Sequence, residues 1–286
     1  MSEVVKTADG SATLFSERFK EPYHSVTAGA LTEAVEKFCK PARIREKAKK
    51  GRVSLFDSCF GLGYNTFTFI DEVLSENSDA EVEVVGYEFD IGVIVSSLKL
   101  NWGRLERWKG VLRELLRNRV CQLGFLTLNY FRPKMRIKLF IGEGRRVLKK
   151  ISHLYENFAD AVFHDPFSPK VNPELWTYEL FLLLRRVIKE EGILATYSAA
   201  TPVRRALHMA GFGVREGVAV GRRSRSTVAS PSFKTEEKLL KKFELPESVP
   251  YRDPSLREPP GLIKARQKGC IRLLKTPFKP LPVYHL

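Results

Sequence analysis

Short apolar runs separated by glycine-rich or polar breaks recur along the middle of this chain, and their pattern predicts a series of β-strands. The first is residues 53–57 (VSLFD), and the next, 81–90 (EVEVVGYEFD), is rich in β-branched residues. Five further segments bring the predicted number of strands to seven: 136–143, a run that ends at Asp165, 192–198, 213–220 and 227–230.

Amphipathic stretches of helical length lie between these strands. They predict helices over about 64–74, 91–101, 145–158, 173–189 and 201–210. Strands and helices that alternate in this way are typical of a mostly parallel sheet with helices on both faces. The predicted fold class is therefore α/β, Rossmann-like, with a seven-stranded sheet.

The same pattern divides the chain into three parts. Residues 1–52 form an N-terminal extension that is partly helical, with a helix from about 29 to 39 that could continue to 50. Residues 53–230 form the α/β domain. A basic insertion at about 102–135 interrupts it, with a predicted helix over 106–121 and an apolar segment at 126–130. Residues 231–286 hold more than half of the 16 prolines and are predicted to wrap over the domain in extended form, with one short helix at 236–243.

The charge of the chain indicates a polyanionic partner. The net charge is +15 and the pI is about 9.7. Residues 101–150 contain 14 Lys or Arg against three acids, a net +11, and residues 231–286 contain 12 basic against six acidic residues, a net +6. A solvated basic face without a partner is the ordinary alternative, but so uneven a distribution favours nucleic acid.

Other global features predict a cytoplasmic protein without metal. No segment approaches the roughly 18 consecutive apolar residues of a membrane span, and the polar first ten residues lack the layout of a signal peptide. The cysteines, Cys39, Cys59, Cys121 and Cys270, are far apart and show no metal-binding spacing with the histidines. Each is expected to be a small, mostly buried side chain.

Glycines and acids follow the predicted strands at the points where each strand ends. Gly61 and Gly63 come after the first strand, Glu88 and Asp90 after the second, and Glu143 after the third. Ligands of an open parallel sheet bind outside the carboxyl ends of its strands. An acid after the second strand can accept both hydroxyls of a ribose, and one after the third can hold an adenine amino group. Together these residues predict an adenosyl pocket.

The alternatives to this pocket are ordinary structural roles. Glu88 could be an exposed acid, while Asp90 and Glu143 could cap the helices that follow them. A nicotinamide dinucleotide is the weaker ligand, because its third glycine would fall at Thr66. We also count Asp57 and Asn65, which flank the glycine loop, among the candidate cofactor-binding residues.

A second kind of chemistry is suggested by residues 165–176 (DPFSPKVNPELW), which directly follow the fourth strand. Asp165 can accept hydrogen bonds from a substrate amine, and Pro166 stiffens the turn so that Phe167 presents a flat apolar face. His164 falls on the opposite face of the strand and is expected to be packed or hydrogen-bonded. Trp176 is expected in the core or in the pocket wall. An ordinary proline-rich turn is the alternative for the whole run.

The run 165–176 resembles the methyltransferase domain of MnmC-type tRNA wobble-uridine modification enzymes. The segments 60–65 (FGLGYN), 194–199 (LATYSA), 203–207 (VRRAL) and 210–212 (AGF) share the resemblance, as do 15–19 (FSERF) and 23–25 (YHS). It spans most of residues 15–221. The family usually has glycine where this chain has Cys59, and the chain departs from it again at 221–226 (GRRSRS).

The resemblance implies a class I S-adenosylmethionine-dependent methyltransferase that methylates the 5-aminomethyl group of uridine 34 in tRNA. Gly61, Gly63, Glu88 and Glu143 would contact the cofactor, Asp165 would hold the amine, and Phe167 would lie near the base. Many relatives carry an additional flavin-dependent oxidase domain, for which 286 residues leave no space. Neither FAD nor metal is therefore expected.

These expectations have two rivals. One is a methyltransferase or aminopropyl transferase acting on a small amine, which the positive charge disfavours. The other is an RNA-binding protein with an inactive pocket. The expected partner is the anticodon region of tRNA, with no membrane and no obligate protein partner. The protein is expected to be a monomer, and the sequence contains no coiled-coil heptads.

Overall fold

The structure is a computed structural model that describes residues 3–221 and 223–276. Arg222, in the stretch that departs from the family, and the last ten residues of the basic tail lie outside the described residues. Within the described part there are twelve strands. They are β1 (Val4–Lys6), β2 (Ala12–Ser16), β3 (Glu21–Pro22), β4 (Arg52–Ser58), β5 (Glu81–Glu88), β6 (Arg119–Gln122), β7 (Phe125–Arg132), β8 (Met135–Ile141), β9 (Ala159–His164), β10 (Ile188–Thr196), β11 (Gly213–Glu216) and β12 (Thr227–Ser230).

Ten α-helices connect or follow these strands in the described residues. They are α1 (Ala30–Glu33), α2 (Ile44–Ala48), α3 (Tyr64–Glu76), α4 (Ile91–Ser97), α5 (Lys109–Arg117), α6 (Gly144–Ile151), α7 (Tyr178–Val187), α8 (Thr201–Met209), α9 (Glu237–Phe243) and α10 (Pro260–Lys275). A π-helix (Ala34–Cys39) continues α1, and 3-10 turns form at Gly103–Trp108, Pro173–Trp176 and Pro246–Ser248.

The main sheet has nine strands, not the predicted seven, in the order β11-β12-β10-β9-β4-β5-β8-β7-β6. Its centre is parallel, from β10 to β8, and both edges are antiparallel. The two additional strands form a hairpin, β6–β7, inside the basic insertion. The predicted helix over 106–121 was wrong at both ends, because a 3-10 turn precedes α5 and the chain extends into β6 at Arg119. The four residues of β6 are all exposed, so no apolar alternation marked the strand.

Alternate residues of the central strands enter two separate cores, one on each face of the sheet. Leu55 of β4 packs with α3 on one face, and Phe56 packs with α6, α7 and α8 on the other. This arrangement is the α/β layering expected from the sequence. It leaves the carboxyl ends of β4, β5, β8 and β9 at one edge of the sheet.

The N-terminal extension contains more structure than a helix. Strands β1, β2 and β3 form a small antiparallel sheet. The helix predicted from about 29 to 39 is present as α1 and the π-helix, but it does not continue to 50, because Arg43 has a left-handed φ of 58° before α2 begins. Lys47 of α2 donates to the carbonyl of Asp160, and Arg45 pairs with Glu72 of α3. These contacts hold the extension against the sheet.

The C-terminal part is more helical than predicted. The short helix at 236–243 is confirmed as α9, but the 16-residue α10 was not expected from the sequence. All four cysteines are free thiols, and the prediction of burial fails for Cys121 and Cys270, which are exposed. Across residues 3–221 and 223–276, no helix is long and apolar enough to span a membrane.

Candidate active site

A cavity of about 700 Å³ opens at the carboxyl edge of the parallel strands. Its floor comes from the strand ends, with Glu88 at the end of β5, Glu143 after β8 and Asp165 after β9. One wall consists of residues 16–19 and 21–25 of the N-terminal extension. A cavity of this size is typical of small-molecule and cofactor sites. Phe167 also lines the cavity, so the structure brings together four of the predicted site residues and adds a wall that the sequence did not predict.

The glycine loop connects β4 to α3 through three residues with positive φ. Gly61 has φ 56° and Gly63 has φ 89°, conformations that favour glycine. Cys59 has φ 83°, although it is not glycine. The position at which the family usually has glycine is thus left-handed here too, and the cysteine adopts a strained backbone.

Glu88 is buried, with 7% of its surface exposed, and is not the exposed strand-end acid considered as an alternative. Its carboxylate accepts from the backbone N–H of Gly61 at 2.8 Å and of Asp90 at 3.0 Å. Burial raises the pKa of Glu88, and the backbone hydrogen bonds lower it in part. This carboxylate links the glycine loop to the end of β5 while it lines the cavity.

The helix-capping alternatives are confirmed for the other two acids. Asp90 accepts from the N–H of Gly92 at 2.7 Å and caps α4. Glu143 accepts from the N–H of Arg146 at 3.1 Å and caps α6, and it also pairs with Arg145 at 2.9 Å. Both residues nevertheless line the cavity, so capping does not remove them from the site.

The remaining candidates lie behind the cavity among the described residues. Asp57 is fully buried and accepts a hydrogen bond from the hydroxyl of Thr66 at 2.5 Å. Burial raises the pKa of Asp57 to about 7. Asn65 donates its Nδ2 to Oδ2 of Asp165 at 2.7 Å. Four predicted cofactor-binding residues therefore lie behind the cavity and do not line it: Asp57, Asn65, Gly61 and Gly63.

Asp165 has a buried side chain that faces the cavity, with 7% of it exposed. Burial, followed by the charge of Glu33, raises its pKa well above the usual value, and the Asn65 hydrogen bond lowers it in part. His164 lies on the other face, as predicted: its Nδ1 bonds to the Ser58 hydroxyl and its Nε2 to the carbonyl of Leu175, each at 2.8 Å.

The proline-rich run after Asp165 is held at several points. Tyr197 donates to the carbonyl of Pro166 at 2.9 Å, and Trp176 donates to the carbonyl of Phe167 at 2.8 Å. Trp176 is fully buried in the core, which was one of the two positions expected for it. The ring of Phe167 stacks on Phe19 at 4.4 Å and meets the edge of Tyr23 at 4.9 Å. Phe167 is therefore one member of an aromatic cluster and not an isolated face.

The sequence did not predict that the N-terminal extension supplies part of the site. Nδ1 of His24 lies within 4 Å of a carboxylate oxygen of Glu33 and of Asp165, and Lys37 pairs with Glu33 at 2.7 Å. Two signals were present: the segments 15–19 and 23–25 took part in the family resemblance, and Glu33 and Lys37 have the i, i+4 spacing of a helical ion pair.

Comparisons with known proteins agree with this geometry. Residues 106–232 match a family described as S-adenosyl-L-methionine-dependent methyltransferases. The crystal structure of MnmC2 from Aquifex aeolicus is 34% identical with a TM-score of 0.82, and the match covers 96% of this chain and 86% of that one.

Two relatives in sequence extend the comparison. An uncharacterized protein of Methanocaldococcus jannaschii is 31% identical over 261 residues, which are 88% of this chain and 68% of that protein. The tRNA 5-methylaminomethyl-2-thiouridine biosynthesis bifunctional protein MnmC of Pseudomonas savastanoi pv. phaseolicola is 30% identical over 216 residues. That match covers 72% of this chain and 31% of MnmC, so the chain spans about a third of the bifunctional protein. The chain belongs to the S-adenosyl-L-methionine-dependent methyltransferase family that includes the methyltransferase region of MnmC and the MnmC2 protein of Aquifex aeolicus.

Proposed function

We propose that this protein methylates the 5-aminomethyl group of uridine 34 in tRNA, with S-adenosylmethionine as the methyl donor. The observation that carries the proposal is the buried carboxylate of Asp165 at the end of β9, which faces the same cavity as Glu88. A buried carboxylate is costly unless it is paired. An amine that arrives as an ammonium group would pair with it.

The residues at the strand ends fit an adenosyl ligand. Glu88 is a buried acceptor at the cavity surface, suited to ribose hydroxyls. Glu143 uses one lone pair on each oxygen for Arg145 and Arg146, which leaves others for an adenine amino group. Gly61 supports Glu88 from behind the cavity, because its backbone N–H donates to the Glu88 carboxylate. A dinucleotide-binding loop would need glycine at position 66. The threonine there instead donates its hydroxyl to Asp57, which supports the adenosyl ligand over a dinucleotide.

The bound cofactor would supply a methyl group already activated on a sulfonium, so the protein has mainly to position the amine and relieve it of a proton. An ammonium has no lone pair and cannot attack. The raised pKa of Asp165 makes its carboxylate a better proton acceptor than an exposed aspartate. Asn65 fixes one oxygen of that carboxylate and thereby its direction.

The tRNA would bind through cations that the structure leaves at the surface. Of the 14 basic residues between 101 and 150, six form ion pairs with acids of the described chain: Arg104, Arg107, Lys109, Arg132, Lys134 and Arg145. The other eight have no such pair there. Three of them, Arg146, Lys149 and Lys150, are exposed on α6, which begins at the cavity wall. Phosphates attracted to this helix would place a nearby base at the mouth.

The wobble base would meet the aromatic cluster of Phe19, Tyr23 and Phe167. A base splayed out of its stack gains free energy by packing on aromatic rings. The guanidinium of Arg18 lies 5.1 Å from the Phe19 ring and 4.6 Å from Phe89, which is 54% exposed. We propose that this rim, more than Phe167 alone, receives the base.

Substitution of Asp165 by asparagine tests the proposed role. Calorimetry should show that the variant binds S-adenosylmethionine as the wild type does, while transfer of labelled methyl to tRNA falls roughly 100-fold or more. The matched control is Asp79→Asn, the same change at an exposed residue outside the cavity lining, which should leave methyl transfer unchanged. Turnover near the wild-type rate in Asp165→Asn would remove Asp165 from the mechanism. A wild-type protein that does not bind the cofactor would instead indicate an RNA-binding protein with an inactive pocket.

A further inference from the structure

His24 occupies an unusual position between two buried carboxylates. Its Nδ1 is 3.9 Å from Oε2 of Glu33 and 3.9 Å from Oδ2 of Asp165. The side chain is 5% exposed, yet Nδ1 has no hydrogen-bond partner in the described part of the chain. The same residue lines the cavity. A buried polar atom without a hydrogen-bond partner destabilises the folded protein, so the position of Nδ1 in this site needs an explanation.

The surroundings of His24 come from six segments. The Thr13 hydroxyl of β2 accepts the backbone N–H of His24, and the Tyr64 ring of α3 packs edge-on at 5.1 Å. The charged groups that act on the imidazole are Glu33 of α1, with Lys37 of the π-helix bonded to it, Asp9 before β2, and Asp165 after β9. Burial lowers the pKa of His24, while Glu33 and Asp9 raise it in part.

His164 provides the contrast. It is also fully buried, but both of its ring nitrogens make hydrogen bonds of 2.8 Å to groups of the protein. An imidazole that serves only packing is satisfied in this way. His24 keeps one nitrogen free beside the carboxylate that would hold the substrate.

We propose that His24 is a positioning residue that relays the proton from Asp165, and this proposal rests on the proposed methylation of an amine. In the first step an N–H bond of the substrate ammonium breaks, its electron pair stays on nitrogen, and the proton forms an O–H bond on Asp165. In the second step that O–H bond breaks and the proton binds Nδ1 of His24. The imidazolium then lies between two carboxylates, and it releases the proton to solvent after the product leaves.

The separation of 3.9 Å must shorten by about 1 Å for a hydrogen bond to form. Catalytic hydrogen bonds are often long before the substrate binds and tighten in the complex. The relay therefore requires a small rotation of one of the two side chains when the substrate binds. The relay restores Asp165 as a carboxylate, so that it can bind the positive charge that develops on the amine during methyl transfer.

The kinetic test compares wild type, His24→Asn and the control His208→Asn on tRNA, over a range of pH. His208 lies in the last turn of α8 and bonds Thr235, outside the cavity lining. His24→Asn should lower kcat roughly 100-fold near pH 7 with little change in KM. The deficit should shrink by about pH 9, because more of the amine then arrives without its proton. A deficit that stays constant across this range would mean a structural role and overturn the relay.

A second measurement does not depend on the substrate. Nitrogen-15 NMR of the histidine rings follows His24 in wild type, Asp165→Asn and Glu33→Gln. The proposal expects the ring shifts of His24 to change in Asp165→Asn and its pKa to fall in Glu33→Gln, because the carboxylate that supports the imidazolium is gone. Unchanged titration in both variants would overturn the proposal. If wild-type protein does not methylate tRNA, the proposed function fails, while the NMR result still decides whether His24 and Asp165 are coupled.

Discussion

Arg145 connects the cavity wall to the C-terminal segment, and its replacement by methionine should destabilise the protein far more than the same change at Arg146. The guanidinium of Arg145 pairs with Glu143 at 2.9 Å and with Asp253 at 2.7 Å, and it donates to the carbonyl of Glu258 at 2.8 Å. Arg146 is exposed and makes no ion pair in the described chain. Methionine keeps the apolar stem in both variants, so that the comparison isolates the guanidinium.

The magnitude follows from Asp253, whose side chain is completely buried. Removal of one partner of a buried ion pair costs roughly 3–5 kcal/mol, because the other charge is left uncompensated. The other oxygen of Asp253 still accepts from Ser255, Arg257 and Glu258. We therefore expect the lower end, about 3 kcal/mol. In a protein of this size that corresponds to a fall in Tm of roughly 6–12 °C.

Urea denaturation measures the free energy of unfolding of both variants. A cycle with Asp253→Asn adds a second check, since neutralising Asp253 should recover part of the loss caused by Arg145→Met. A difference between Arg145→Met and Arg146→Met of less than about 1 kcal/mol, the range of surface ion pairs, would refute the reasoning. A strictly additive cycle would refute it as well.

The glycine loop, the buried Asp165 and the basic face of α6 can each be tested separately. Cys59→Gly should raise the free energy of unfolding, measured in urea, by about 1 kcal/mol, because glycine adopts the left-handed φ of 83° without steric cost. A lower free energy of unfolding would mean that the contacts of the thiol outweigh the backbone strain. The pKa of Asp165 is higher in the folded protein than in the unfolded chain, so the stability of the wild type declines as pH rises above the unfolded-state pKa. Asp165→Asn should therefore have a higher Tm than wild type at neutral pH and lose this advantage near pH 3. An equal Tm of the two proteins at all pH values would contradict this pH dependence. Affinity for tRNA should fall steeply with salt, and Lys149→Gln with Lys150→Gln should reduce the slope by roughly two; a flat response would exclude phosphate contacts by α6.

The central sheet and the floor of the site were readable from the sequence because both depend on short-range patterns. Strands β4, β5 and β9 are mostly buried and appear as short segments rich in apolar residues, and the polar residue that follows the apolar part marks the edge of the sheet. The positions of Glu88 and Asp165 at that edge therefore follow from the local pattern of residues alone.

Features that depend on distant contacts could not be read in this way. His24 reaches Asp165 across 141 positions, and the strands of the N-terminal sheet are only two to five residues long. The exposed strand β6 has no apolar face to mark it. For α10 a signal did exist, because Pro260 occupies the first helical turn, where proline is favoured, but the proline-rich surroundings suggested an extended chain.

The charge of the basic insertion illustrates a different limit. The net +11 of residues 101–150 treats every cation as available, whereas Arg104 and Arg107 pair with Asp71 and Glu72 of α3 and attach the insertion to the domain. A count along the sequence cannot separate such internal pairs from surface charge. The net charge of this window therefore overstates the number of cations that a partner could contact.

The most direct test of the central claim is to incubate the protein with methyl-labelled S-adenosylmethionine and tRNA that carries unmethylated 5-aminomethyluridine, and then to identify the labelled nucleoside by mass spectrometry. We expect label in 5-methylaminomethyluridine at position 34, and its loss in Asp165→Asn. Label in another nucleoside, or label only in a free small amine, would rule out the proposed function.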